Sequence, residues 1–331
     1  MTTLRPAAAS GAQFFLATPP ILEYTGYVKF SITSIITGRT QAQMKIGVQT
    51  GNLFERMGIE ATFKLFSEAG FDCVDFNIDP AYRYHTIVEG KPSGLFEKSD
   101  EEILEHYRPH KEAAQKYNIA FGQAHAPFPS YVENDLGNEY VLNAIKKSIM
   151  ICGYLGCRYL VVHPMFLSYE RMLTPEDEWK INIERYSALI EDARRHDVII
   201  CLENMFIVRN GRIYGAICAD ASETNRYIDT LNEIAGEKRF AFCLDTGHAM
   251  LASKELRRLI NELGHRIEVL HIHDNDGIRD SHMFPYMGII DWDRFCQGLK
   301  DIGYQGHLSF ETGGATNVFP LELAPEMMKL L

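Results

Sequence analysis

The chain has 331 residues, 46% of them hydrophobic and 23% charged, which is enough for one large domain or two small ones with a substantial core. Its formal net charge of −11 argues against a partner that presents many phosphates, so nucleic acid is not expected as a partner. No apolar run reaches the roughly 18 residues that a membrane-spanning helix needs, so no membrane is expected either.

Residues 1–43 differ in composition from the rest of the chain. They contain Ala-rich and Pro-rich pieces and a β-branched run, and Pro19 and Pro20 interrupt the apolar stretch that a signal peptide would need. Met44 then begins a clean strand pattern. We expect residues 1–43 to be a loosely attached N-terminal extension, or to arise from an upstream start codon. An ordinary ordered arm is the alternative.

Strand-like and helix-like stretches alternate from Met44 to the end of the chain. The predicted strands are 45–50, 73–78, 119–125, 159–163, 198–203, 240–245, a short strand that opens the segment 267–292, and 307–311. The predicted helices are 59–69, 99–117, 138–155, 174–196, 222–234, 253–263, 292–302 and 321–331. A long Tyr-rich loop is expected at 79–98, and a loop containing Asn210-Gly211 is expected between the fifth strand and the helix 222–234.

Eight alternations of strand and helix predict a (β/α)8 TIM barrel over residues 44–331. Parallel strands need crossover helices, and eight such units close into a barrel of about 250 residues or more. A doubly wound open sheet is the alternative. No GxGxxG motif follows the first strand, and no P-loop is present.

The seven cysteines form no CxxC pair, and their spacing is scattered. Several of them, such as Cys73, Cys201 and Cys243, lie in apolar runs and are typical of small core residues. This usage favours a reducing, cytoplasmic location over a secreted disulfide-bonded protein.

Six of the predicted strands end in a residue that can bind a metal ion. In a barrel these residues would all lie at the C-terminal rim, where barrel enzymes carry their chemistry. The six are His125, His163, Glu203, Asp245, His271 and Glu311.

The segment 267–292, which includes His271, carries three imidazoles and three carboxylates within a dozen residues. They are His271, His273, His282, Asp274, Asp276 and Asp280. Charged groups are costly to desolvate unless they are paired, and a divalent cation is a common partner for such a cluster. A solvated loop with a few satisfied histidines is the alternative for this segment alone.

Structural roles are also open to several of these residues. His125 and His163 precede Ala-Pro and Pro, and each suits a core histidine bonded to a backbone carbonyl. Asp245 suits the N-cap of the following helix, with His248 in its first turn. Glu203 and Glu311 follow apolar strands, and a buried glutamate without a partner is rare, so a functional role is favoured for both.

The strings HAPF, HPMF, LEN, LDTGH, HIHDN, DSH and ET occur in this order and resemble those of the xylose isomerase-like barrel superfamily. The resemblance covers about residues 44–315. That superfamily holds sugar isomerases and epimerases, inosose dehydratases and the DNA-repair enzyme endonuclease IV. The resemblance implies a metal site at Glu203, Asp245, His271 and Glu311, and a substrate contact at His248. The endonuclease pattern adds His125, His163, Asp280 and His282, which together with the first site give a three-zinc set. Phe128, however, stands where that pattern usually has Tyr.

The resemblance also implies a chemistry. One divalent ion, Mn2+ in the first place and Mg2+ or Zn2+ as alternatives, would hold a keto sugar or polyol. Glu203 and Glu311 are the expected catalytic pair, which moves a proton through a cis-enediolate. The remaining residues are expected to bind substrate: His125, His163, His248, Asp280 and His282, with Arg279 as a weaker candidate.

Three other activities stay open. A lyase or dehydratase acting on a keto-polyol or keto-glycoside would use the same site. An endonuclease IV-like phosphodiesterase would use the metal site, His248 and the four residues that the endonuclease pattern adds. A non-catalytic barrel would bind a sugar without reacting with it. Barrels of this type often pair, so a homo-oligomer is also open.

A set of aromatics is expected either to form a lid or to pack ordinarily: Tyr82, Tyr84, Phe96, Phe128 and Phe166.

Overall fold

The computed structural model describes residues 44–79, 82, 87, 94–167, 173–313 and 320–331. The expectations for residues 1–43, and for most of the loop at 79–98, lie outside the described residues. Among the residues that are described, no helix combines the length and the apolar character that crossing a membrane requires. All seven cysteines are buried and free.

Eight parallel strands form the central sheet, and two more form a separate antiparallel hairpin. In chain order the strands are β1 (Ile46–Gln49), β2 (Cys73–Asn77), β3 (Ala120–His125), β4 (Tyr159–Val161), β5 (Ile199–Glu203), β6 (Phe206–Arg209), β7 (Arg212–Gly215), β8 (Phe240–Asp245), β9 (Ile267–His271) and β10 (Leu308–Phe310).

The central sheet closes on itself as the predicted TIM barrel. Its strand order is β10-β1-β2-β3-β4-β5-β8-β9, and every neighbouring pair is parallel. The two end strands, β9 and β10, meet just beyond β9. There the Ile272 N–H donates to the Ser309 carbonyl at 2.8 Å, and the Ile272 carbonyl accepts from the Glu311 N–H at 3.0 Å. All strand carboxyl ends therefore lie at one rim.

Helices lie between the strands. They are α1 (Leu53–Met57), α2 (Ile59–Ala69), α3 (Asp100–Lys116), α4 (Asp135–Leu155), α5 (Pro175–Ser187), α6 (Ile190–Arg195), α7 (Ala221–Ala235), α8 (Thr246–Leu251), α9 (Leu256–Leu263), α10 (Trp292–Asp301) and α11 (Ala324–Met328). A capping box opens α3, since the Ser99 side chain accepts from the Glu102 amide and the Glu102 carboxylate accepts from the Ser99 amide.

Side-chain alternation along the strands places the polar strand ends at the barrel mouth. A buried apolar cluster inside the barrel includes Val161, Cys201, Cys243 and Val269. These four residues stand two positions before His163, Glu203, Asp245 and His271. Because side chains two apart on a strand share one face, the polar side chains lie directly above the cluster.

Three of the predicted elements were wrong in detail. The single helix expected at 174–196 is two helices, α5 and α6, separated at residues 188–189. The loop with Asn210-Gly211 is the β6–β7 hairpin, whose two turn residues have φ of +50° and +72°, as a type I′ turn requires. The last helix shrinks to a 3-10 turn, Leu321–Leu323, followed by α11.

Candidate metal centre at the barrel mouth

The structure brings together the four residues that the sequence assigns to one ion. Ligand atoms of Glu203, Asp245, His271 and Glu311 all lie within 4.8 Å of one another, and all four residues are buried. From His271 Nδ1, the distances are 3.3 Å to Glu203 Oε1, 3.2 Å to Glu311 Oε2 and 3.9 Å to Asp245 Oδ2.

These spacings suit ligands of a common ion better than hydrogen bonds. Ligands held about 2.1 Å from a four-coordinate ion lie about 3.4 Å apart. His271 Nδ1 has carboxylate oxygens at that range on two sides, yet it forms no hydrogen bond of acceptable geometry. A buried nitrogen without a hydrogen bond, facing carboxylates, fits a metal-binding lone pair. The donor set, one imidazole and three carboxylates, is compatible with Mn2+, Mg2+ or Zn2+.

Glu203 also faces a second group of ligands through its other oxygen. Oε2 lies 3.2 Å from His163 Nε2 and 3.6 Å from His125 Nε2, and the two imidazole nitrogens are 3.1 Å apart. This oxygen also has no hydrogen-bond partner of acceptable geometry. His125 and His163, which the sequence assigns to substrate, therefore share one face of Glu203.

A third group surrounds Asp280. Its Oδ2 lies 3.0 Å from His282 Nε2 and 3.4 Å from His248 Nε2. His248 links this group to the first one, since its Nδ1 lies 3.2 Å from Glu203 Oε1. All nine site residues predicted from the sequence thus converge on one mouth.

Backbone carbonyls orient three of the imidazoles. His125 Nδ1 donates to the Ala126 carbonyl at 2.6 Å, His248 Nδ1 to the Asn204 carbonyl at 2.9 Å, and His282 Nδ1 to the Glu311 carbonyl at 2.9 Å. Each of these contacts leaves Nε2 directed at the site. The structural role considered for His125, a bond to a carbonyl, is therefore present together with its place in the site.

The mouth holds several carboxylates that are buried or partly buried. In the described part of the chain, no Lys or Arg forms an ion pair with the five carboxylates nearest the imidazoles. These are Asp75, Glu203, Asp245, Asp280 and Glu311. Buried charges that lack such partners need a cation to offset their desolvation.

In the absence of such a cation, protonated imidazoles neutralise the carboxylates of this cluster, and the pKa values of both kinds of group are shifted accordingly. Burial disfavours the charged form of Glu203, but His271 and His163 outweigh it and hold the carboxyl pKa well below its usual value. Burial likewise opposes the charge on His282, and the carboxylates of Glu311 and Asp280 raise its pKa to about 10. A bound divalent ion would take over the neutralisation that these protons provide.

Asp245 is placed for both roles that the sequence left open. Its Oδ1 caps α8 by accepting from the His248 amide at 2.6 Å, and its Oδ2 faces His273 Nε2 at 3.0 Å and the candidate ion position. Asn204 fixes its backbone, accepting from the Asp245 amide and donating to its carbonyl, both at 2.9 Å. The cap therefore helps to aim the ligand.

Sequence reasoning missed two side chains of the site. Gln49 donates to Glu311 Oε1, and Asp75 lies 3.0 Å from His271 Nε2. His273, which was noted in the segment 267–292 but given no role in the site, contacts Asp245. Of the six charged residues noted in the segment 267–292, Asp274 and Asp276 stay outside the site. Both of their carboxylates accept backbone amides, and Asp274 Oδ2 also accepts from the Trp292 indole.

Aromatic rings line part of the mouth. Phe128 is 60% exposed and stacks on His163 with ring centroids 5.2 Å apart, and Phe206 of the hairpin lies 5.0 Å from His248. Two of the predicted lid residues belong to the core instead, since Tyr82 and Phe96 are buried against each other. Tyr84 lies outside the described residues, and Phe166 is half-buried.

The comparison with protein families gives one match over most of the chain: the model described as the xylose isomerase-like TIM barrel matches residues 63–331. A curated relative, the uncharacterised protein y4fM of Sinorhizobium fredii, is 25% identical over 267 residues, which cover 77% of this chain and 81% of that protein. A protein named probable endonuclease 4, from Metamycoplasma arthritidis, is 26% identical over 166 residues, covering 48% of this chain and 55% of that protein.

Solved structures share the fold. A D-tagatose 3-epimerase-like protein superposes with a TM-score of 0.63 at 21% identity, covering 86% of this chain and 98% of that one. The IOLI protein, solved with a bound zinc atom, superposes with a TM-score of 0.62 at 19% identity, covering 86% and 95%. At these identities, the likeness shows the fold alone.

Proposed function

The chain belongs to the xylose isomerase-like TIM barrel family, and we propose that it is a divalent-metal-dependent isomerase or epimerase of a keto sugar or polyol. One observation carries the proposal. Two buried glutamates, Glu203 and Glu311, flank His271 Nδ1 at 3.3 and 3.2 Å at the mouth of the barrel. Two carboxylates facing each other across one position suit a proton removal and a proton return.

The residues of the site divide this work between them. Glu203, Asp245, His271 and Glu311 would hold one divalent ion, which supplies Lewis-acid polarisation of a substrate carbonyl. One of the two glutamates removes a proton from the carbon next to the carbonyl, and the other returns a proton, through a cis-enediolate. His163 and His248, whose Nε2 atoms face the mouth, bind substrate oxygens together with His125, Asp280 and His282.

Several features support sugar chemistry over the other activities. The D-tagatose 3-epimerase-like protein shares the fold. The net charge of −11 disfavours a DNA substrate. The mouth carries aromatic rings such as Phe128, which can stack on the apolar face of a sugar.

Solvent isotope exchange tests the proposal. The full chain, loaded with Mn2+, is incubated in deuterated water with a panel of ketopentoses, ketohexoses and inososes. We expect NMR to show deuterium incorporated at the carbon next to the carbonyl, together with the epimer or aldose product. Loss of water or of an aglycone would instead identify the lyase or dehydratase. No exchange with any member of the panel would contradict proton transfer to a sugar.

The Glu311→Gln variant tests the assignment of the proton-transfer pair. An amide keeps the side-chain shape but cannot accept the proton, so turnover should fall by about 10²-fold or more while substrate still binds. Metal content is measured alongside, because Glu311 is also a proposed ligand. Glu268→Gln, on β9 at the opposite end of the barrel, is the matched control and should keep its turnover. Unchanged turnover in Glu311→Gln would remove Glu311 from the acid–base role.

An endonuclease IV-like phosphodiesterase is the second candidate. The observation in its favour is that two further ligand groups are present. His125 and His163 lie at Glu203, and His282 and His248 lie at Asp280. The relative named probable endonuclease 4 points the same way. Three zinc ions per chain and cleavage at an abasic site in DNA would establish this activity and overturn the first proposal.

A further inference from the structure

We propose that Asp75 is a positioning residue for the candidate ion, acting through His271, and that Gln123 holds Asp75 in place. The inference rests on the proposed function for the assignment of His271 as a ligand. Asp75 lies on β2, inside the barrel, and contacts His271. It was not among the site residues expected from the sequence.

The burial and charge of Asp75 are the first evidence. Its side chain is 0% exposed, and Oδ2 lies 3.0 Å from His271 Nε2. Among the described residues, His271 is its one ion-pair partner. A buried carboxylate without Lys or Arg costs several kcal/mol of desolvation, so an apolar residue would suit a barrel interior better. Stability therefore does not account for Asp75, and the residue it contacts is the one imidazole of the four-residue metal group.

The local backbone supports the same arrangement. Between Val74 and Asp75 the pairing of β2 with β3 shifts register, so that Asp75 pairs with Gln123. Gln123 Nε2 donates to Asp75 Oδ2 at 3.0 Å and lies 3.2 Å from the Leu270 carbonyl. Such register shifts commonly re-aim a side chain near a functional site. The buried amide thus links the carboxylate to the strand that carries His271.

His271 differs from the other imidazoles in what orients it. His125, His248 and His282 each donate Nδ1–H to a backbone carbonyl and turn Nε2 to the site. His271 is reversed: Nδ1 faces Glu203 and Glu311, and Nε2 faces Asp75. The Asp75 contact is at hydrogen-bond distance, although the ring N–H points off the oxygen.

The consequence of this reversal is chemical. A carboxylate 3.0 Å from Nε2 favours the proton on that nitrogen, which keeps it off Nδ1 and raises the basicity of Nδ1 as a ligand. Loss of such a partner commonly costs 10–100-fold in metal affinity. Asp75 would therefore tune the ligand that stands between the two catalytic glutamates.

Metal affinity of the full chain tests the proposal. The dissociation constants for Mn2+ and Zn2+ are measured by competition with a chelator for the wild type, Asp75→Asn and Asp75→Leu. We expect both variants to bind the ions about 10–100-fold more weakly, while the metal-free proteins keep the wild-type circular dichroism. Ser309→Ala is the matched control, since the Ser309 side chain is also buried on a barrel strand but its hydroxyl has no hydrogen-bond partner, and its affinity should be unchanged.

Wild-type affinity in both folded Asp75 variants would overturn the proposal. Should they fail to fold, nitrogen NMR of the zinc-loaded wild type decides the same point, with the His271 signals assigned by their loss in His271→Gln. We expect Nε2 to carry the proton and Nδ1 to bind the ion. An ion on Nε2, or a proton on Nδ1, would overturn the role of Asp75.

A failure of this proposal can be distinguished from a failure of the proposed function. If Asp75 governs ion binding but the loaded wild type exchanges no sugar proton, the sugar activity fails and the positioning role stands. If the wild type exchanges sugar protons and the Asp75 variants bind ions normally, the sugar activity stands and the positioning role fails.

Discussion

Single residues at the barrel mouth differ in how far the sequence reveals them. Glu203 and Glu311 are predictable, because each follows an apolar strand where a lone charge stands out. Asp75 and Gln49 are not, because a polar residue within a strand has the same pattern whether it faces solvent or the inside of a closed barrel. Only the closure of the sheet shows that both side chains point at the site.

A titratable residue far from the mouth gives a prediction at the same scale. His110 of α3 is buried among Phe54, Phe76 and Tyr107, and its Nδ1 has no hydrogen-bond partner. Burial lowers its pKa to about 4, so the folded protein keeps the ring neutral where the unfolded chain takes up a proton. Its contribution to stability is therefore lost as the pH falls from the unfolded value of about 6.5 towards 4.

The substitution His110→Leu should remove this pH dependence. Between about pH 7.5 and pH 4.5, the free energy of unfolding of the wild type should fall by about 2–3 kcal/mol more than that of the variant. Urea titrations of both metal-free proteins at several pH values measure the difference. His265→Gln, at an exposed histidine, is the control and should follow the wild type. Parallel pH profiles for wild type and His110→Leu would show that burial does not set the His110 pKa.

Elements of the barrel were easier to predict than the connections at its rim. Helix α2 and strand β8 have the bounds that the apolar periodicity and the Gly70 cap indicate. The hairpin β6–β7 was missed although Asn210-Gly211 is a strong turn signal, because a TIM barrel pattern leads one to expect a loop after each strand. The break between α5 and α6 has no Pro or Gly to mark it in the sequence.

The hairpin allows a prediction at the scale of elements. Gly211 has φ +72° at its turn, so Gly211→Val should strain the turn by about 1–2 kcal/mol and displace Phe206 from His248. We expect a higher KM for the sugar with unchanged Mn2+ affinity, since the proposed ligands lie outside the hairpin. Gly303→Val, with φ +64° after α10, is the matched control and should lose similar stability without a change in KM. Equal KM values in the two variants would exclude a role for the hairpin in substrate binding.

At the scale of the whole molecule, ion binding and folding are linked. The proposed ligands come from β5, β8, β9 and the end of β10, so a bound ion would join half of the barrel and would bind only the folded state. At an ion concentration 100-fold above the dissociation constant, the stabilisation is about 2.7 kcal/mol, which corresponds to a rise in Tm of about 5 °C or more. Calorimetry with Mn2+ or a chelator measures it, and Asp245→Asn should lose most of the rise.

The number of ions then decides between the two candidate functions. Asp280 belongs to the third ligand group and not to the first, so Asp280→Asn leaves the group of Glu203, Asp245, His271 and Glu311 intact. For a one-ion sugar enzyme, we expect this variant to keep about one ion per chain and the full ion-induced rise in Tm. For a three-ion phosphodiesterase, the variant should lose about one of three zinc ions and part of the rise. Elemental analysis of wild type and variant, purified side by side, distinguishes the two, and a loss of zinc in Asp280→Asn would move the assignment to the phosphodiesterase.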